Sequence, residues 1–238
     1  MPFSLFALIG RKYRLPVPLR TYGRKGSSQN NEAGIIDAVL DAIPVRKKFF
    51  VEFGIGHGPG DASYSKGLEG NCVELKASGW SGLFMDAGIH PPEYEIKEEF
   101  VSDENINQLL AKYRVPADFA IISIDVDGQE YWIWKALRAR PELVIVEYAL
   151  EHGPDDAVTV PRDPAFRWDG TNYGGASLRA LWKLGKDKGY TLVHANRVNA
   201  FFVSSNLVSN PDDFPFESMY DHGKIHPNDP LNRQWLKV

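Results

Sequence analysis

The chain has 238 residues, 43% hydrophobic and 24% charged, with a net charge of −4 and a pI near 5.9. This suits one globular domain with a modest extension, able to bury its core without staples. The single cysteine, Cys72, excludes an internal disulfide and a Cys-rich zinc site and fits a reducing, cytoplasmic setting, while the lack of basic blocks leaves no footprint for nucleic acid.

The first stretch, MPFSLFALIGRKYR, is apolar over residues 3–9, too few to cross a bilayer. Its charges Arg11, Lys12 and Arg14 follow the apolar run, whereas a secretion signal puts them before it. We expect residues 1–26 to be an extension packed on the domain, with no stable membrane insertion; a weak contact with a membrane surface is the alternative. A polar loop over 21–31 precedes a helix whose stripe is Ile35, Ile36, Val39, Leu40 and Ile43, stopped by Pro44. Residues 49–53 are too continuously apolar for a half-exposed strand and read as a central one. After a loop and a helix, GLFMD (82–86) is a second strand, and the alternation in EYEIKEEFV (93–101) a third. Ser102 or Asp103 then caps a helix carrying Ile106, Leu109, Leu110 and Tyr113, ended by Pro116.

FAIISIDVD (119–127) is a fourth strand, followed by the helix QEYWIWKALRA, and ELVIVEYA (142–149) is a fifth. Residues 150–176 form a long loop rich in Pro, Asp and Gly, and such loops are more often functional than idle. Ser177 opens the next helix and Gly189 closes it. YTLVHA and AFFVSS, joined by NRVN, form a hairpin of strands six and seven, and a proline-rich tail follows from 205. Alternating strands and helices imply an α/β fold: a seven-stranded, mostly parallel Rossmann-like sheet over 27–204 with an antiparallel terminal hairpin. Ligands of such sheets bind outside the carboxyl ends of the strands.

The loop after the first strand, EFGIGHGPGD, fits three cofactor patterns unequally. A phosphate-cradling loop needs Gly-Lys-Ser/Thr, and the first lysine after the glycines is Lys66. A dinucleotide loop needs a third glycine where Pro59 stands. An acidic residue followed by G-x-G, here Glu52, Gly54 and Gly56, suits S-adenosylmethionine: a carboxylate favours its ammonium, and glycines admit it closely. A glycine-rich turn with no ligand is the competing reading. Asp86, ending strand two, can accept both ribose hydroxyls, or can be an ordinary turn aspartate.

The blocks SSQNNEAGIIDAV, FFVEFGIGHGPGDASYSKGLEGNCVELKASGWSGLFMDAG, FVSDENINQLL, SIDVDGQEYWIWKAL and LVIVEYA, in this order over residues 27–204, resemble the FkbM-like S-adenosylmethionine-dependent methyltransferases and related bacterial sequences. The resemblance implies a seven-stranded methyltransferase fold with the cofactor along Glu52, Gly54, Gly56 and Asp86. We add Asn71, Ser102 and Asp125 as candidate cofactor contacts. Family members often end strand five in Glu-Tyr-Asn; here it is Glu147-Tyr148-Ala149, so no role for that amide carries over.

A methyltransferase aligns the acceptor with the methyl group and removes a proton where the acceptor is a hydroxyl. Asp125, Asp127 and Glu147 follow strands four and five and are candidate ligands of Mg²⁺, which would acidify a bound hydroxyl. Against this, Asp127-Gly-Gln-Glu130 has the spacing of a capping box. Asp125, Glu147 and His194 are the candidate catalytic residues, His194 as a base or as a structural strand-end histidine. Trp168 and Tyr173 are candidate acceptor contacts on a hinged lid, or pins that hold the loop down. His57 more simply shapes the glycine loop, His152 is a possible substrate contact, and His222 and His226 read as surface residues. The expected activity is O-methylation of a small molecule or sugar. The alternatives are an NAD-dependent oxidoreductase and a non-catalytic S-adenosylmethionine-binding protein.

Overall fold

The computed structural model describes residues 11–55, 67–220 and 229–238, so the apolar run at 3–9, Gly56, His57, Pro59, His222 and His226 lie outside the described residues. Helix α1 (Glu32–Ala42) buries Ile35, Ile36, Val39 and Leu40, and Ile43 turns extended, as the residue before Pro44 must. The next elements are β1 (Phe49–Phe53), α2 (Val73–Ala77), β2 (Ser81–Asp86), β3 (Lys97–Glu98), α3 (Ile106–Lys112), β4 (Ile121–Ile124), α4 (Glu130–Ala136) and β5 (Leu143–Glu147). Then come β6 (Val158–Thr159), α5 (Leu178–Asp187), β7 (Tyr190–Ala195), β8 (Asn199–Ser204), α6 (Phe216–Met219) and β9 (Leu236–Lys237).

Seven strands form one sheet in the order β3-β2-β1-β4-β5-β8-β7. β1 pairs in parallel with β2 and β4, β4 with β5, and β2 with β3. β8 runs antiparallel to both β5 and β7, which makes the terminal hairpin expected from sequence. The apolar runs are continuous because both faces are covered. Val51, Phe53, Ile122, Ile124, Val144, Val146 and Phe202 pack on one side with residues of α3, α4 and α5. Phe50, Ile121, Ile145, Phe201 and Val203 pack on the other with α1. Leu15 and Leu19, within the segment expected as an extension, are buried in that second layer. The same segment meets the tail, with Tyr13 N donating to Leu207 O at 2.6 Å and Leu15 N to Asn210 Oδ1 at 3.0 Å.

Several local expectations are corrected. The third strand is two exposed edge residues, preceded by a 3₁₀ turn at Pro92–Tyr94 that takes up the start of the alternating stretch, while Ile96 packs on the core. Neither Ser102 nor Asp103 caps α3: Asn105 precedes it, with its Oδ1 accepting from Ser102 N at 2.8 Å, while Asp103 pairs with Arg162. The helix ends at Lys112, before Pro116, where Arg114 turns left-handed at φ 54°. Ser177 does cap α5, accepting from Ala180 N at 3.2 Å, and Gly189 follows it at φ 80°.

The long loop is fastened. Its β6 pairs antiparallel with β9, and Thr159 bridges Ala176. Arg162 reaches Glu104 at 2.8 Å, and Arg233 beside β9 reaches Asp169 at 2.8 Å. Among the described residues no helix is long and apolar enough to cross a membrane.

Candidate functional site

Parallel pairing puts the carboxyl ends of β2, β1, β4 and β5 side by side, and with them Asp86, Glu52, Gly54, Asp125, Asp127 and Glu147. Gly54 answers what the first glycine admits. It sits at φ +72°, and a Cβ there would stand 1.2 Å from the carbonyl oxygen of Asp125. Its close partner is therefore this chain's own backbone, at the point where the ends of β1 and β4 converge.

Glu52 is buried and accepts from Asn71 N at 2.7 Å and Cys72 N at 2.8 Å, which fixes the start of α2 to the end of β1. Burial pushes its carboxyl up to about 7, with the two amides pulling the other way. Asn71 in turn donates from Nδ2 to Ser123 Oγ at 3.0 Å on β4. Between these residues lies a recess of about 40 Å³ lined by Glu52, Glu69, Gly54, Asp125 and Asn199. Asn199 Nδ2 donates to Glu32 Oε1 at 3.4 Å, and its Oδ1 is buried without a partner among the described residues. The recess is thus lined by three carboxyl groups together with the side-chain amides of Gln29, Asn71 and Asn199.

Asp125 and Glu147 are hydrogen-bonded to each other, and burial raises both carboxyls. The charge of the neighbouring Glu130 raises both carboxyls further. Glu130 joins them from α4, so that Asp125, Glu130 and Glu147 each bring an oxygen within 4.8 Å of the others. Asp127, expected in that set, is not part of it. The capping box is not formed either: Gln129 precedes α4 with no side-chain cap, and Asp127 is left-handed at φ 56°. Glu130 Oε1 instead accepts from Val126 N at 2.9 Å and Gly128 N at 2.7 Å.

Glu147 and Asp127 line a second cavity, a cleft of about 260 Å³ closed on its far side by the long loop. Trp168 lines it, half-exposed, with its indole donating to Thr171 O at 2.6 Å; Asn172 of the same loop and Arg197 from the β7–β8 link line it too. Tyr173 turns the other way. Its hydroxyl donates to Gln234 O at 2.9 Å, its ring meets Trp235 edge-on, and the Arg233 guanidinium lies 4.1 Å from the ring centre. His152 packs on Trp235 as well.

No protein-family model matches this chain. No curated protein matches it either.

The remaining candidates are placed apart from the carboxyl pair. His194 lines a third cavity, of about 560 Å³, between α1, the 3₁₀ turn at Leu19–Tyr22 and α6; burial lowers its imidazole to about 4. Asp86 Oδ1 accepts from Gly88 N at 2.6 Å and lies 2.8 Å from His90 Nε2. Ser102 is buried in the turn before α3, its carbonyl accepting from Ile106 N at 3.0 Å. Sequence reasoning missed Glu130 and Asn199 as site residues: the first was absorbed by the D-x-x-E pattern, the second by the hairpin link. The signal that could have found Asn199 is its register opposite Glu147 on β5.

Proposed function

We propose that this chain is an S-adenosylmethionine-dependent O-methyltransferase acting on a hydroxyl of a small molecule or sugar. The observation that carries the reading is two cavities meeting at one hydrogen-bonded carboxyl pair: Asp125 lines the carboxyl-lined recess behind Gly54, and Glu147 lines the cleft under the long loop. The order of sequence blocks over 27–204 that resembles the FkbM-like methyltransferases supports the same reading.

Glu52, Asp125 and Asn199 Oδ1, which line the recess, are acceptors suited to the ammonium of S-adenosylmethionine. Asp86, two strands from Asp125, is the acceptor available to ribose hydroxyls. When bound, the cofactor supplies an electrophilic methyl group on sulfur. The chain's own part is to hold an acceptor in the cleft against Trp168 and Asn172, shield it from water, and take its proton at the Asp125–Glu147 pair. This reading gives His194 no part, since it lines the other cavity and burial lowers its imidazole.

The test is transfer of labelled methyl from S-adenosylmethionine to a panel of sugars and phenols. Incorporation that survives Asp127→Asn but falls at least ~10²-fold in Asp125→Asn supports the reading. Incorporation by neither wild type nor variant, with labelled cofactor not retained on equilibrium dialysis, overturns it.

A further inference from the structure

The carboxyl cluster has a feature that methyl transfer does not use. Glu130 is fully buried, and while its Oε1 carries the amides of Val126 and Gly128, its Oε2 is buried with no hydrogen-bond partner among the described residues. A buried carboxylate oxygen left in this state is costly. The Asp125–Glu147 pair can meet part of its own need with a shared proton, but among the described residues nothing donates to Glu130 Oε2. Among the described residues no lysine, arginine or histidine forms an ion pair with any of the three carboxyls. What the cluster lacks is positive charge at its centre.

We propose that Asp125, Glu130 and Glu147 bind one hard divalent cation of the Mg²⁺ or Mn²⁺ kind. The three residues come from three elements, the end of β4, the first residue of α4 and the end of β5, and bring one oxygen each within 4.8 Å of one another. Adjacent octahedral ligands of Mg²⁺, at roughly 2.1 Å from the ion, stand about 3 Å apart, so side-chain movements of less than about 2 Å close the set. A carboxylate set with neither nitrogen nor sulfur suits hard cations such as Mg²⁺ and Mn²⁺. Glu147 also lines the cleft, so the ion's free positions can take an oxygen of whatever binds there. The site stands whether or not that ligand is a methyl acceptor.

The test uses the full chain stripped with chelator and then titrated with Mn²⁺, free Mn²⁺ being followed by electron paramagnetic resonance. One Mn²⁺ should bind per chain, Mg²⁺ should compete for it, and either ion should raise the melting temperature. Glu130→Gln and Glu147→Gln should each weaken Mn²⁺ binding by at least about tenfold, while Asp127→Asn changes it less than about twofold. Circular dichroism establishes that each variant folds; if Glu130→Gln does not, Glu147→Gln against Asp127→Asn decides alone. No binding at millimolar Mn²⁺, unaltered binding in the glutamate variants, or equal weakening by Asp127→Asn would overturn the site.

Discussion

Gly54→Ala probes the convergence on which both cavities depend. The added Cβ would lie 1.2 Å from the Asp125 carbonyl oxygen and 2.4 Å from its carbon. Ordinary contact is about 3.5 Å, so the ends of β1 and β4 would have to part by roughly 2 Å. They are held from both sides, by Gly54 N to Met85 O at 3.1 Å and Asp125 N to Phe53 O at 3.3 Å. The left-handed φ of 72° adds ~1–2 kcal/mol for any L side chain. Gly79 isolates that second contribution, since it sits at φ +86° with nothing within 4 Å of an added Cβ. Gly79→Ala should therefore cost ~1–2 kcal/mol. Gly54→Ala should cost at least ~4 kcal/mol, a large share of the ~5–15 kcal/mol by which domains are stable. Urea unfolding followed by tryptophan fluorescence and circular dichroism measures both. If the two variants lie within ~0.5 kcal/mol of each other, the close approach of Gly54 to Asp125 is wrong.

Four further outcomes follow. Glu52 holds its proton in the folded state up to about 7 against an ordinary 4.5, so between those values the folded chain binds more protons than the unfolded one. Stability of the chelator-treated protein should then fall as pH rises from 5 to 8, by at most ~3 kcal/mol from Glu52, and Glu52→Gln should flatten that slope in denaturation curves. Arg233→Ala, which removes the pairing with Asp169 and Asp229, should speed amide hydrogen exchange around 158–160 and 175–177 and leave β1, β4 and β5 unchanged. His194→Gln should keep kcat for methyl transfer within about twofold, and a larger loss would return the histidine to the site. Trp168→Ala should raise the acceptor KM while affinity for S-adenosylhomocysteine is unchanged, measured by steady-state kinetics and calorimetry.

The sheet was legible because its strands are buried on both faces and so read as unbroken apolar runs, as at 121–124 and 143–147. The carboxylates at the strand ends were legible for the same reason, because the apolar runs fix where the strands stop. What the sequence hid was long-range or dihedral. β6 and β9 are two residues each, too short for any period, and their pairing joins Val158 to Lys237 across the chain. Asp127-Gly-Gln-Glu130 reads the same whether Asp127 caps the helix or turns left-handed, and only φ separates the two. The orientation of His194 depended on a register shift between Leu192 and His194, and one extra residue in a strand changes which face a side chain takes. Tyr173 in a glycine-rich loop suits a substrate or a tail equally well, and here Arg233, Gln234 and Trp235 take it.

The central claim is that the recess behind Gly54 receives the ammonium of S-adenosylmethionine. Isothermal titration of the purified chain with S-adenosylhomocysteine, and separately with NAD, tests it most directly. The account predicts one S-adenosylhomocysteine bound per chain at micromolar affinity, weakened by ~1–3 kcal/mol in Asp86→Ala through lost hydrogen bonds to a charged group, and no heat from NAD. Saturable binding of NAD with none of S-adenosylhomocysteine would contradict it.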